Sequence, residues 1–497
     1  MNEDQSPSPD PSRAPSTTSP PSLVGLSWLD RSLRVFTDVR RGEGLTGVIM
    51  LASVFLILMA YYLFKPAREG LLATAGVESV SKIELRAYTS FGQGLLFLGV
   101  VPAYSSLVSG LRRRTLITAV NLFFVGNAFL FWLLQPGLLV SRVPYLGIAF
   151  YLWVGIFNVL VVAQFWSFAA DLYSNERGKR ILPMIAIGAS GGAVAGSWLT
   201  DKLVEVLGTY SLLLLGAGIL GVSTVLALVA ERRGPVGQGA EGVGSSRGPE
   251  AMGKSGALSL VFSNKFLIAT ALMILVLNWV NTNGENSLFG IVQEVVGKEV
   301  AERGVTNAAE KDALIADQTT QFYGSFQLWV NVIGLAMQSF LASRLLKYGG
   351  FGLILLMLPF VSLASYTLAA VVPVLGIIKV MKIAENATDY SINNTAKQVL
   401  WLPTSREVKY KAKAAIDTLF VRFGDGFAAI TVFVLINQLH LSVRSMFALN
   451  IGLALAWILL GFVVVRQHRL ISEAAAQGDT KNKDGNAPPK PLPERSA

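Results

Sequence analysis

The sequence predicts an all-α membrane protein of about twelve transmembrane helices in two six-helix halves. Three observations predict it: little charge, apolar residues gathered into long runs, and basic residues spaced at regular intervals. Of 497 residues, 52% are hydrophobic and only 15% are charged, against about 25% charged in soluble domains. Leu45–Leu63, Phe91–Val108, Thr115–Leu134, Tyr145–Phe168 and Ser445–Val465 each approach the length that crosses about 30 Å of hydrocarbon. No soluble fold needs so many.

Hydropathy places helices at residues 45–66, 87–108, 115–135, 145–171, 181–202 and 209–230. A second set follows at 264–284, 318–344, 350–371, 373–399, 413–437 and 445–466. Between the sets, residues 231–262 are rich in Gly, Ser and Pro and read as a flexible cytoplasmic linker. The linker divides a first bundle, 45–230, from a second, 264–466. Residues 1–30 and 478–497 are polar and Pro-rich, a composition expected of disordered tails, and the first shows no signal-peptide pattern. Leu107-Val108-Ser109-Gly110-Leu111-Arg112-Arg113 after the second helix is echoed by Leu341-Ala342-Ser343-Arg344-Leu345-Leu346-Lys347 after the eighth. With the six-plus-six division, that echo favours a duplicated, major facilitator-like transporter plan.

Loop charge gives topology. Basic clusters precede the first helix (Arg31, Arg34, Arg40, Arg41) and follow the second (Arg112–Arg114), fourth (Arg177, Lys179, Arg180) and sixth (Arg232, Arg233). They follow the eighth (Arg344, Lys347), tenth (Arg406, Lys409, Lys411, Lys413) and twelfth (Arg466, Arg469) as well. That alternation puts both termini in the cytoplasm of a cell inner membrane, with the bilayer itself as a partner. The net charge of +10 is thus an orientation signal and not a nucleic-acid footprint. With no cysteine and only His440 and His468, the chain offers no disulfide, thiolate or His-based metal site. No nucleophile–base pair points to an enzyme, and no cofactor is expected. Gly248–Ser255 matches the P-loop pattern GxxxxGK[ST], but a working P-loop follows a strand within an α/β domain, and a Gly/Ser/Pro linker supplies none.

Charge inside a membrane helix is costly and faces a cavity or a partner. On the tenth helix Lys379, Lys382, Asn386, Asp389 and Asn393 recur at steps of three and four, hence on one face, with Glu385 beside it. That face is either an ion-paired seam or a substrate pathway. The first helix ends with Lys65-Pro66-Ala67-Arg68-Glu69. Pro66 should loosen it there, and Arg68 can grip phosphate or carboxylate with two hydrogen bonds; the alternative is that both cations anchor the helix end. The seventh helix carries Asn278, Asn281, Asn283 and Glu285, the fourth Asn158 and Gln164, and the eleventh Asp417, Arg422 and Asp425, the last two spaced to pair. The expected substrate contacts are Lys65, Arg68, Asn158, Asn278, Asn281, Lys379, Lys382, Asn386 and Arg422. Glu385, Asp389 and Asp425 are the expected proton-coupling or gating groups. Gly188-Ala189-Ser190-Gly191-Gly192 and Gly196 on the fifth helix read as a close-packing surface.

Several stretches resemble the ATP/ADP translocase family of plastids and bacteria. They are Tyr62-Leu63-Phe64-Lys65-Pro66-Ala67-Arg68-Glu69-Gly70-Leu71, Phe165-Trp166-Ser167-Phe168-Ala169-Ala170-Asp171-Leu172-Tyr173, and Ala384-Glu385-Asn386 through Asp389-Tyr390-Ser391 to Leu402-Pro403. The last continues through Glu407-Val408-Lys409-Tyr410-Lys411-Ala412-Lys413 to Ile416-Asp417. The resemblance implies a major facilitator-like monomer that exchanges ATP, ADP or another nucleotide by alternating access, without hydrolysis. It further implies functional charges on helices 1, 4, 7 and 11. Here the basic position of helix 1 corresponds to Arg68. The acidic positions of helices 4 and 7 fall near Gly155 and Asn281, and the basic position of helix 11 near Asp425. Candidate cations Lys65, Arg68, Lys379, Lys382 and Arg422 are matched by Glu69, Glu385, Asp389, Asp417 and Asp425, a balance that suits a solute less charged than ATP. The expected function is transport of a nucleotide or related anionic metabolite; the alternatives are a proton-coupled facilitator of another small solute, or a membrane scaffold without transport.

Overall fold

The computed structural model describes residues 44–77, 79–110, 113–139, 143–173, 175–233 and 256–484. The segment 1–43, the body of the linker with its P-loop-like motif, and residues 485–497 lie outside them. The described chain is a helical membrane protein, and nine of its helices are long and apolar enough to cross a bilayer.

The first half comprises α1 (Gly44–Thr74), α2 (Lys82–Gly110) and α3 (Arg113–Leu133). It continues with α4, built from Leu146–Phe157, a π-helical Asn158–Val162 and Ala163–Leu172. α5 (Asn175–Leu207) and α6 (Thr209–Arg233) complete it. A short helix, Ala257–Ser263, precedes α7 (Lys265–Glu302). α8 runs through Ala308–Ala336 and the π-helical Met337–Ala342. The helical segment Ser343–Val371 turns at Gly350, whose φ of 68° is open to glycine and strained for other residues; residues 351–371 form α9. α10 joins Leu375–Thr388, π-helical Asp389–Asn393 and Asn394–Leu400. It is too charged to qualify as a span on apolarity alone. α11 extends from Val408–Ala412 to Phe433–Gln438, and α12 is Ser445–Asp484.

Most helices run past their hydropathic limits. α1 passes through Pro66, where a stop was expected, because the bundle takes over. Ala67, Leu71, Leu72 and Ala73 are buried along its continuation, and neighbours in a membrane bundle tolerate the lost hydrogen bond. α2 starts five residues early, at a capping box. Ser81 N donates to Glu84 Oε2 at 3.0 Å and Glu84 N to Ser81 Oγ at 3.4 Å, each satisfying a helix-end amide. α12 extends into the expected tail as far as Asp484.

The two halves share one plan. α1 packs on α5 and α6, and α3 on α6; likewise α7 packs on α11 and α12, and α9 on α12. The glycines of α5 are a packing surface, since a Cβ at Gly192 or Gly196 would collide with the backbone carbonyl of Phe55 or Met59 on α1. Across the boundary, α8 lies on α1 and α5, and α2 lies on α7 and α11.

One end of that boundary is closed. We call it the odd-loop end, after the connections that follow odd-numbered helices. Asp317 of α8 accepts from both the backbone N and the Oγ1 of Thr209, each at 2.7 Å, and so caps α6 from the other half. Gln321 donates to Glu205 at 2.6 Å, and Asn437 to Glu84 at 2.9 Å. Gly70 lets α1 press directly on Ala316 and Thr320 of α8.

Candidate substrate site

Inward of the odd-loop end the halves enclose a cluster of buried charge. Glu69 and Arg68 come from α1, Arg86 from α2, Glu285 from α7, and Lys382 and Glu385 from α10. Arg86 Nε lies 3.0 Å from Glu69 Oε2, and Arg68 Nε 3.2 Å from Glu69 Oε1. Glu285 sits between two cations, 3.6 Å from Arg86 Nη2 and 3.6 Å from Lys382 Nζ. Lys382 Nζ reaches Glu385 Oε2 at 2.7 Å. The remaining acceptors are filled: Asn386 donates to Glu285 at 2.9 Å, Ser362 and Tyr366 donate to Glu385, and Arg86 donates to Asn286 Oδ1 at 2.7 Å. Buried ions persist only when paired and hydrogen-bonded in this manner.

A cavity of about 150 Å³ opens on this cluster, lined by Lys65, Arg68, Glu69, Arg86, Glu285 and Asn386 among others. Tyr151, Tyr323, Gln327 and Tyr390 complete much of its wall. Below it, toward the even-loop end, lies a cavity of about 430 Å³ between α1, α4, α5, α8 and α10. Lys65 and Tyr390 belong to both walls. Lys65 Nζ donates to Gln327 Oε1 at 3.2 Å and lies 5.2 Å and 5.7 Å from the ring centres of Tyr62 and Tyr390. The Arg68 guanidinium stands 4.5 Å over Tyr151, a cation–π geometry.

The expected contacts divide into four groups. Lys65, Arg68, Asn281 and Asn386 line the central cavity; Lys382 and Glu385 stand directly behind it. Asn158 lines the lower cavity. The others are placed elsewhere. Asn278 donates to its own Ile274 carbonyl at 2.8 Å, where α7 meets Gly424 of α11. Lys379 binds Ser325 Oγ at 2.5 Å and rests against Phe322. Asp389 accepts from Asn393 at 2.6 Å, with Lys397 at 3.6 Å. Arg422 and Asp425 pair at 2.8 Å, and Asp425 also takes a hydrogen bond from Thr282, a cavity residue.

Arg86 is the residue that hydropathy overlooks, because the expected helix begins one position after it. The signal lay in Ser81-Lys82-Ile83-Glu84, a capping-box spelling that starts α2 early enough to put Arg86 inside. Glu285 supplies an acid from α7 one turn beyond Asn281. At Gly155 on α4 a Cβ would meet the Gln93 side chain of α2, so a neutral amide occupies the space that a carboxylate at 155 would need.

Residues 350–468 match the family model TLC ATP/ADP transporter. The match spans α9 to α12 and agrees with the resemblance seen in the sequence. No curated protein sequence matches the chain. Among solved structures, a peptide transporter of the POT family in complex with sulfate superposes with a TM-score of 0.57 at 10% identity, covering 89% of this chain and 99% of that one. PepTSo, also of the POT family, gives 0.56 at 12% identity, with 86% and 98% covered. The nucleoside transporter NupG, in a mutant form, gives 0.55 at 12% identity, with 84% and 99% covered. The chain therefore shares the helical fold of these transporters.

Proposed function

We propose that this chain is a secondary transporter that carries a nucleotide or related anionic metabolite across the inner membrane by alternating access. The observation that carries this reading is the buried charge cluster at the boundary of the halves, with a cavity adjoining it on the even-loop side and cross-half hydrogen bonds on the other. A scaffold gains nothing from burying so many ions in a bilayer, where each is costly. A carrier gains a site whose partners can be exchanged for a substrate's charge. The basic clusters lie at the even-loop end, which makes that end cytoplasmic and the present arrangement open inward. Both termini are then cytoplasmic, and the chain works as a monomer without hydrolysis.

The test is exchange in vesicles reconstituted with the purified full chain. Labelled nucleotides and small anionic metabolites are expected to enter saturably against an internal pool, and Arg68→Ala should reduce entry at least tenfold. Failure of every nucleotide and anionic metabolite to exchange would overturn the reading. Proton coupling is the second reading, favoured by the Asp425–Thr282 contact that brings a carboxylate beside the cavity. It predicts uptake that follows an imposed proton gradient.

A further inference from the structure

We propose that the central cavity is a subsite for one anionic group of a small substrate, a carboxylate or a single phosphoryl group, held by Lys65 together with Tyr323 and Gln327 of α8. The inference rests on the transport reading above and narrows its substrate. It starts from pairing. Arg68, Arg86 and Lys382 face Glu69, Glu285 and Glu385, three cations against three anions, every one in a contact of 3.6 Å or less. Lys65 is the cation left over: its contacts are the neutral Gln327 amide oxygen and two tyrosine rings. One unmatched positive charge in a buried site calls for one anionic group.

A second observation points to the same place. The Tyr323 hydroxyl, on a side chain only 2% exposed, is buried on the cavity wall with no hydrogen-bond partner. An orphaned buried hydroxyl gives up its bonds to water with nothing in return, a loss that a ligand oxygen would relieve. Tyr323 and Gln327 are four apart and share a face of α8. Donor and cation thus converge from two halves of the protein.

Size sets the upper limit. At about 150 Å³ the cavity is below the roughly 300–1,000 Å³ of drug-sized ligand pockets. It admits one oxyanion group, while the rest of the substrate extends into the lower cavity of about 430 Å³ between Tyr62 and Tyr390. A triphosphate would bring three or four charges to a site with one to spare.

The test is binding to the purified full chain in detergent, by calorimetry, with inorganic phosphate, acetate, AMP, ADP and ATP as probes. Acetate and phosphate separate the carboxylate and phosphoryl forms of the ligand. At least one probe with a single anionic group should bind, and affinity should rise less than threefold from AMP to ATP. Gln327→Glu places a carboxylate against Lys65 and should fold at least as well as the parent, yet weaken that binding more than tenfold. Tyr323→Phe should weaken it about tenfold, and Lys65→Arg should retain it. ATP binding ten times tighter than AMP, no binding of any probe, or unchanged affinity in Gln327→Glu would each overturn the proposal. Vesicle exchange separates the two readings. Exchange of a neutral solute without anion binding sinks the subsite alone, and anion binding without exchange of any solute sinks the transport reading alone.

Discussion

Lys382 holds two carboxylates, and removing its charge tests whether the cluster is a coupled network. In Lys382→Met the side-chain volume is nearly kept, but Glu385 loses its partner at 2.7 Å and Glu285 one of its two cations at 3.6 Å. At an effective dielectric of about 20, charges at those distances attract by roughly 6 and 5 kcal/mol. Desolvation offsets most of that in the intact pair, but the loss of one member leaves the other buried and unmatched. A destabilisation of about 3–5 kcal/mol is expected. Adding Glu385→Gln removes the orphaned charge, and the double variant should recover at least about 2 kcal/mol, because directly contacting groups are strongly non-additive. Glu285 keeps Arg86 and Asn386 in either variant. Reversible unfolding in mixed micelles, read by tryptophan fluorescence, measures all four corners of the cycle. A single variant within 0.5 kcal/mol of the parent, or a double no more stable than Lys382→Met, would refute the network.

Arg86→Gln should abolish exchange whereas Lys379→Ala, which disturbs contacts to Ser325 and Phe322 outside the cluster, should keep more than half of it in the vesicle assay. Gly192→Val, forced against the Phe55 carbonyl, should cost about 1–3 kcal/mol in the same unfolding experiment, while Gly218→Ala, with open space around it, should be neutral or stabilising by up to about 1 kcal/mol. Ser81→Ala should lose about 1 kcal/mol of helix-cap stability. Asp317→Ala should loosen the sealed end: the chain has no native cysteine, so a single cysteine placed at Ser90 on the cavity wall should react faster with an impermeant maleimide added from the odd-loop side. An unchanged labelling rate would show that the cap on α6 does not control the seal.

The class of fold was legible because its cause is local. A run of apolar residues reports its own environment, and a basic loop reports its own side. Lys65, Arg68, Lys382 and Asn386 were legible for the same reason, as polar exceptions within such runs. Partnership was not legible. Arg86 and Glu69 are seventeen positions apart and meet only because α1 and α2 fold together. Tyr151 and Tyr323 carry no polar signature in an aromatic-rich chain, yet they form the cavity wall. The even steps of three and four along α10 also misled. Asp389 turns to Asn393 and Lys397, and Lys379 to Ser325, while Lys382 and Asn386 stand at the cluster.

Those wide turns have a further consequence. Among the described residues π-helical segments occur in α4, α8, α10 and α11, whereas α1, α5, α6, α7 and α12 have none. A π turn holds one residue more than the α turn it interrupts. Removing that residue leaves an ordinary turn and carries the rest of the rod along intact. The four rods therefore contain positions where the chain can be shortened by one residue without misaligning what lies beyond. In α1, α2 and α7, which bring Glu69, Arg86 and Glu285 to the cluster without a π turn, the same deletion would swing every later side chain by about 100° around the axis. Tolerance to change in length thus belongs to α4, α8, α10 and α11, and intolerance to α1, α2 and α7.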